Sequence, residues 1–178
     1  MDAQPPVYVI TGQLSAGKST VAAALLDRVP FGFHIDVDGI REMVVSGLAS
    51  PLEWTDETSR QFDLAIRASA AMARIYGDAG FAVVIEGGMD TETVERALSE
   101  AGIGDRLVGV VLHPRLEVAL ERNRTRSSKT FDTTILEGVI TEIDADLTKD
   151  EARDRWHRID NSDEPVEATV ERILSIGQ

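Results

Sequence analysis

The eight residues Gly12-Gln13-Leu14-Ser15-Ala16-Gly17-Lys18-Ser19 satisfy the pattern G-x-x-x-x-G-K-[ST] in full, and no other stretch constrains the fold as strongly. Ahead of them Val7-Tyr8-Val9-Ile10-Thr11 has the β-branched and aromatic composition of a buried strand. Behind them Thr20-Val21-Ala22-Ala23-Ala24-Leu25-Leu26 reads as helix. Strand, glycine loop and helix in that order make one supersecondary unit of a parallel α/β fold. The chemistry follows from the backbone. Glycines let successive N–H groups converge on phosphate oxygens, and the helix N-terminus adds about half a positive charge. Lys18 can reach the β- and γ-phosphates of a nucleotide, and the Ser19 hydroxyl can ligate Mg²⁺. The expected nucleotide contacts are Gly12, Gln13, Leu14, Ser15, Ala16, Gly17, Lys18, Ser19 and Thr20. A glycine turn with an incidental lysine is the competing reading, and the flanking strand and helix count against it.

Composition narrows the class further. A chain of 178 residues suits one α/β domain and can bury about 70 % of its unfolded surface. The net charge of −13 argues against a nucleic-acid polymer as partner, since that needs clustered basic surface. Without cysteine the chain has neither disulfides nor thiolate chemistry. No apolar run approaches the ~20 residues of a membrane span and no basic-then-apolar leader precedes Val7, so a cytoplasmic enzyme without a membrane partner is expected.

Apolar runs and amphipathic stretches then alternate. Strands are expected at Phe31-Gly32-Phe33-His34-Ile35, Phe81-Ala82-Val83-Val84-Ile85, Leu107-Val108-Gly109-Val110-Val111-Leu112 and His157-Arg158-Ile159-Asp160. Helices are expected at about 39–46, from a cap at Thr55 or Asp56 to Tyr76, and at 91–101. Others should run from Pro114 to about Arg126, onward from Thr133 or Thr134, and over 164–176. Five apolar strands alternating with helices imply a parallel sheet covered on both faces, with ligands beyond the carboxyl ends of the strands.

The strand ends carry the candidate chemistry. Asp36-Val37-Asp38-Gly39-Ile40-Arg41 follows the second strand, and an extended chain would put Asp36 and Asp38 on one side. One carboxylate would serve a Mg²⁺-bound water and the other would take a proton from a substrate hydroxyl, with Asp38 the better placed base. Asp38 also suits a helix cap, and Arg41 either a substrate contact or a surface ion pair. Glu86-Gly87-Gly88 puts an acid directly after an apolar strand, where a metal-side or substrate-side carboxylate would stand, and glycines that admit a ligand. Arg122-Asn123-Arg124-Thr125-Arg126-Ser127-Ser128-Lys129 is the one basic cluster. Arg122 and Arg126 share a helix face and could bear on transferring phosphates, or simply suit a helix C-terminus. Asn161 in Asp160-Asn161-Ser162 could offer contacts to an adenine ring. Arg60, Arg67 and Arg74 lie seven apart on one helix face; any could line an acceptor pocket, Arg67 included, though a solvated stripe looks the same. His34 and His113 are expected to be structural.

With the phosphate loop, Asp36-Val37-Asp38-Gly39-Ile40-Arg41, Arg67-Ala68-Ser69-Ala70-Ala71-Met72-Ala73-Arg74 and Arg122-Asn123-Arg124-Thr125-Arg126 in order, nearly the whole chain resembles the small P-loop kinases of the nucleoside-monophosphate-kinase-like group. It is most similar there to chloramphenicol phosphotransferase and its AAA-type ATPase relatives, with zeta toxins and gluconate kinase further off. The resemblance implies one three-layer domain over residues 1–178, with a five-stranded parallel sheet in 2-3-1-4-5 order and a short helical lid over about 122–135. It implies phosphoryl transfer from ATP, with Mg²⁺, to a hydroxyl of a small molecule such as an antibiotic, a nucleoside-like or a sugar-like metabolite. It maps the base onto Asp38 and the lid arginines onto Arg122 and Arg126; the acceptor side is expected, from the residues themselves, at Asp38, Arg41, Arg67, Glu86 and Gly87. Glu86-Gly87 departs from the acid pair of chloramphenicol phosphotransferase, so the acceptor is expected to differ. A toxin-like nucleotide-sugar kinase and a non-catalytic ATP-binding module that gates a partner are the alternatives. The oligomeric state stays open.

Overall fold

A computed structural model describes residues 4–125, 133–149 and 155–177. Strand β1 (Val7–Gly12) leads through the glycine loop into helix α1 (Lys18–Leu26), then β2 (Gly32–Asp36), α2 (Val37–Glu42), α3 (Asp56–Asp78) and β3 (Ala82–Glu86). The chain continues through α4 (Thr91–Glu100), β4 (Leu107–Leu112), α5 (Leu116–Thr125), α6 (Glu137–Lys149), β5 (Trp156–Ile159) and α7 (Val166–Ile176). All five strands are parallel, in the order β2-β3-β1-β4-β5, so the sheet has the implied topology.

Period-two alternation divides the core. Val7 and Val9 of β1 face Ala65, Ile66 and Ala70 of α3 and Val94, Ala97 and Leu98 of α4. Tyr8 and Ile10 face Val21, Ala22 and Leu25 of α1 and Val170 and Ile173 of α7. Full burial of each large aliphatic here contributes about 1.5–3 kcal/mol. The central strands are therefore apolar on both faces, and polar groups collect at their ends. No helix among the described residues is long and apolar enough to cross a membrane.

Most boundaries follow local chemistry. Thr55 caps α3 with a reciprocal Thr55–Thr58 box, and Asp90 caps α4 by accepting from Thr93 N. Most expected ends shift by a few residues, and three of the shifts bear on the site. Helix α2 starts at Val37 and stops at Glu42, short of residue 46, and β-branched Val44 and Val45 follow it. Pro114 lies outside α5, which starts at Leu116. Glu86 is the last residue of β3 rather than the first beyond it. The expected lid over 122–135 falls partly on residues 126–132, outside the described residues, as does Arg126.

Candidate active site

The phosphate loop is shaped by residues that tolerate left-handed backbone: Gly12 at φ 117°, Ser15 at 59° and Gly17 at 89°. At Gly12 any side chain is barred as well, since a Cβ would lie 2.2 Å from the Leu112 carbonyl oxygen of β4. Nothing lies within 4 Å of the position a Gly17 Cβ would take, which leaves open space where the loop enters α1. Lys18 Nζ donates to the carbonyls of Gln13 at 3.0 Å and Gly12 at 3.4 Å, so its amine arches over the loop. Ser19 and Thr20 are exposed in the first turn of α1. The loop thus leads directly into the N-terminus of α1, the end of a helix that favours negative charge.

Across from it stand the acids. Asp36 and Glu86 are register partners on neighbouring strands, which sets their backbones about 4.8 Å apart. Burial pushes the Glu86 carboxyl up, but hydrogen bonds from His34 and Ser19, helped by the charge of Lys18, outweigh it and hold the group below its ordinary value. His34 Nε2 is 3.6 Å from Glu86 Oε1; sequence reasoning gave His34 a structural role and missed this contact. Asp38 behaves in the opposite way. Burial first, then the negative charge of Asp36 and more weakly of Glu86, pushes its carboxyl up against the opposing pull of Lys18 and Arg41.

Asp38 does not reach this place by strand alternation. It sits in the first turn of α2, one residue after the helix begins, and Asp36 is the last residue of β2. The Asp36 carboxylate folds over that turn, where a Cβ on Gly39 would be 3.1 Å from Oδ2. Gly87 is packed by protein: a Cβ there would be 3.2 Å from the Cβ of Val37. The bare glycine lets α2 seat against the end of β3, which carries Asp38 toward Glu86.

Ser19, Asp36 and Glu86 form a set of hard oxygen donors beside the loop, and among the described residues no cluster of three or more acidic, histidine or cysteine groups accompanies it. One or two carboxylates supplemented by phosphate oxygens is the usual Mg²⁺ environment, so the donor set fits that ion.

Arg41 is 5 % exposed, donates to the Ala49 carbonyl at 2.8 Å, and lies 4.9 Å from the centre of the Phe62 ring. Its Nε is buried without a partner. Gln61 works beside it, donating to the Gly47 carbonyl at 2.7 Å and accepting from Ala49 N at 3.0 Å. Together they hold the segment between α2 and α3. That segment exposes Met43, Val45, Leu48, Leu52 and Trp54. Arg67 is elsewhere: it is exposed, 3.9 Å from both Asp63 and Glu100 on the α3–α4 seam. Arg60 and Arg74 likewise pair with Glu57 and Asp78, so the seven-residue spacing marks a solvated stripe.

On the other flank, Arg122 donates to the Asn161 carbonyl at 2.8 Å and to the Ala16 carbonyl at 3.5 Å. Asn161 Nδ2 donates to the same Ala16 oxygen at 2.9 Å. The second half of α5 and the loop between β5 and α7 are thereby both connected to the phosphate loop, with Arg122 on its Ala16 side. Fully buried Asn123 adds a second link: its Oδ1 is 3.5 Å from Ser15 Oγ, its Nδ2 donates to Thr133 O, and Thr133 Oγ1 donates back to Asn123 O, both at 2.7 Å. Asn123 sat unremarked inside the basic cluster, and its only sequence signal is a short polar residue in mid-helix.

Comparison with known proteins gives the family and the fold. A family model described as an AAA domain matches residues 7–149. An adenylyl-sulfate kinase of Vibrio vulnificus is 32 % identical over 125 residues, which cover 67 % of this chain and 56 % of that protein. The chain spans about half the length of the curated relatives it matches. A sugar kinase from Janibacter sp. superimposes with a TM-score of 0.69 at 20 % identity, covering 96 % of this chain and 93 % of that one. A gluconokinase from Sinorhizobium meliloti gives 0.66 at 19 % identity, covering 97 % and 91 %. The structural likenesses establish the fold.

Proposed function

The chain belongs to this AAA-domain family, and from that premise we infer that it transfers the γ-phosphoryl group of ATP to a hydroxyl of a small molecule. One observation carries the reading. A carboxyl with raised proton affinity, Asp38, lies within electrostatic range of Lys18, the loop lysine, and of Arg41 on its own helix. Loop amides and Lys18 bind the β- and γ-phosphates, and Ser19, Asp36 and Glu86 are the residues to hold Mg²⁺. That ion, when bound, neutralises charge that develops on the phosphates. Asp38 accepts the acceptor's hydroxyl proton as its oxygen bonds to the γ-phosphorus, and the bond from that phosphorus to the β–γ bridging oxygen breaks to release ADP. The raised affinity of Asp38 for a proton suits this task, since a base works best when its pKa approaches the working pH.

Arg122 and, in the basic segment after it, Arg126 are the cations proposed to bear on the phosphates; Asn161 borders the adenine side. The acceptor side combines the clamped Arg41 guanidinium with the apolar side chains exposed between α2 and α3. A place near the chloramphenicol phosphotransferase-like kinases is supported by the sequence resemblance, with a different acceptor. The test is ADP release and a product heavier by one phosphoryl group, with ATP, Mg²⁺ and a panel of hydroxylated antibiotics, nucleosides, gluconate and adenylyl sulfate. Turnover in the wild type that Asp38→Asn abolishes supports the reading. ATP binding without product from any acceptor argues instead for a nucleotide-dependent binding module.

A further inference from the structure

A relay of side chains runs from α6 into the phosphate loop, and the activity proposed above uses its Lys18 end alone. Gln13, the second residue of the loop, is fully buried. Its side-chain oxygen accepts from Leu14 N at 3.0 Å, while Nε2 donates to the Ile140 carbonyl at 3.2 Å and to Asp144 Oδ1 at 3.4 Å. Asp144 Oδ1 is also 2.9 Å from His113 Nε2. His113 is fixed in turn, since its backbone N–H donates to Ile159 O of β5 at 2.9 Å. At the other end Lys18 Nζ donates to Gln13 O at 3.0 Å.

Two of these bonds act on a single peptide plane. The Gln13 carbonyl and the Leu14 N–H belong to one rigid unit with its two polar groups on opposite sides. The N–H is held by the Gln13 side chain and the C=O by Lys18. Rotating that plane would break both bonds and displace the lysine amine. The Gln13 side chain holds the plane together with Ala16 N, which donates to the same carbonyl at 3.3 Å, and Gln13 is itself anchored to α6. Since hydrogen-bonded positions are set by the groups behind them, Asp144 has a defined leverage on Lys18 without touching it.

We propose that Asp144 is a positioning residue: acting through Gln13, it fixes the Gln13–Leu14 peptide and so sets Lys18 for the phosphates, which makes nucleotide binding depend on α6 being docked. The proposal rests on the ATP-dependent reading above. Occupancy of the loop and order in α6 are then two faces of one equilibrium, and each must stabilise the other by the same factor.

The experiment measures ATP affinity by calorimetry and amide hydrogen exchange on the full chain and its variants. Asp144→Ala and Gln13→Ala should each weaken ATP binding roughly tenfold, and the double variant no further, because both remove the same relay. Asp144→Asn keeps an oxygen acceptor for Gln13 Nε2 and should recover most of the affinity. ATP should slow exchange at 140–147 in the wild type, and fail to do so in Gln13→Ala while still protecting α1. A role in stability alone predicts a lowered melting temperature, unchanged ATP affinity and intact protection of α6. Should Asp144→Ala not fold, Gln13→Glu, which sets a carboxylate against Asp144, carries the same expectation. Single effects that multiply in the double variant, or α6 protection that survives in Gln13→Ala, overturn the proposal and leave the kinase reading standing. Failure of the wild type to bind ATP overturns both.

Discussion

Beyond the backbone ladder between β1 and β3, one hydroxyl ties the end of the phosphate strand to the loop that follows the acid-bearing strand. Thr11 Oγ1 donates to Met89 O at 2.9 Å and accepts from Met89 N at 3.0 Å, both bonds buried and spanning 78 residues of sequence. Thr11→Val preserves shape and removes both bonds. It creates no cavity, so the cost comes from two backbone groups left dry and unpaired, at about 1–3 kcal/mol each. The sum is about 2–6 kcal/mol, and for a domain of this size each kcal/mol lowers the melting temperature by roughly 2–4 °C. Thr11→Ser is the matched control: it keeps the hydroxyl and loses one methyl, for about 1 kcal/mol. Denaturant midpoints at equal slope give the comparison directly. Valine should be the worse substitution by at least about 1 kcal/mol, although it is the more hydrophobic and the better strand former. A valine variant as stable as the serine variant refutes the reasoning. Because Glu86 and Gly87 lie just before Met89, the valine variant should also bind ATP less tightly than its stability alone requires.

Other outcomes follow from the same geometry. Asp38→Asn should lower kcat by about 10²–10⁴-fold, the span of general-base catalysis, while thermal stability at neutral pH holds or rises; the neutral amide removes a carboxylate that Asp36 and Glu86 repel. A fall in both activity and melting temperature would count against the assignment. The two acids should leave opposite marks on stability against pH. Glu86 titrates below its ordinary 4.5 in the fold, so it contributes stability above that value that is lost as pH falls through the lower folded one; Glu86→Gln should flatten that acid limb. Asp38 titrates above its ordinary 3.8, so its contribution is greatest in acid and declines as pH rises through the folded value. Gly12→Ala should abolish ATP binding measured by calorimetry, since a methyl 2.2 Å from the Leu112 carbonyl must drive the loop off β4.

Local chemistry explains why so much was legible in advance. The glycine loop, its strand and its helix are contiguous, so period and composition are enough to read them. The caps at Thr55 and Asp90 act over three residues and are equally open to inspection. Strand alternation does not account for the orientation of Asp38, because it sits in the first turn of α2 and one helical turn, rather than strand pleat, orients it. Arg67 looked like Arg41 in sequence; burial under Ala49 and Phe62 separates one from the other, and burial is a property of the packed molecule.

The sequence by itself determined the strand, glycine turn and helix of the loop unit, because they are contiguous and their local chemistry can be read without a distant partner. Tertiary structure alone decided what surrounds that loop. The in-register Asp36 and Glu86, the Gly87–Val37 seat, the Asn161–Ala16 contact and the Gln13–Asp144–His113 relay each join residues far apart in the chain. Their energies exist only once the sheet has brought the strand ends together, and no periodicity in the sequence encodes which polar side chains will meet there.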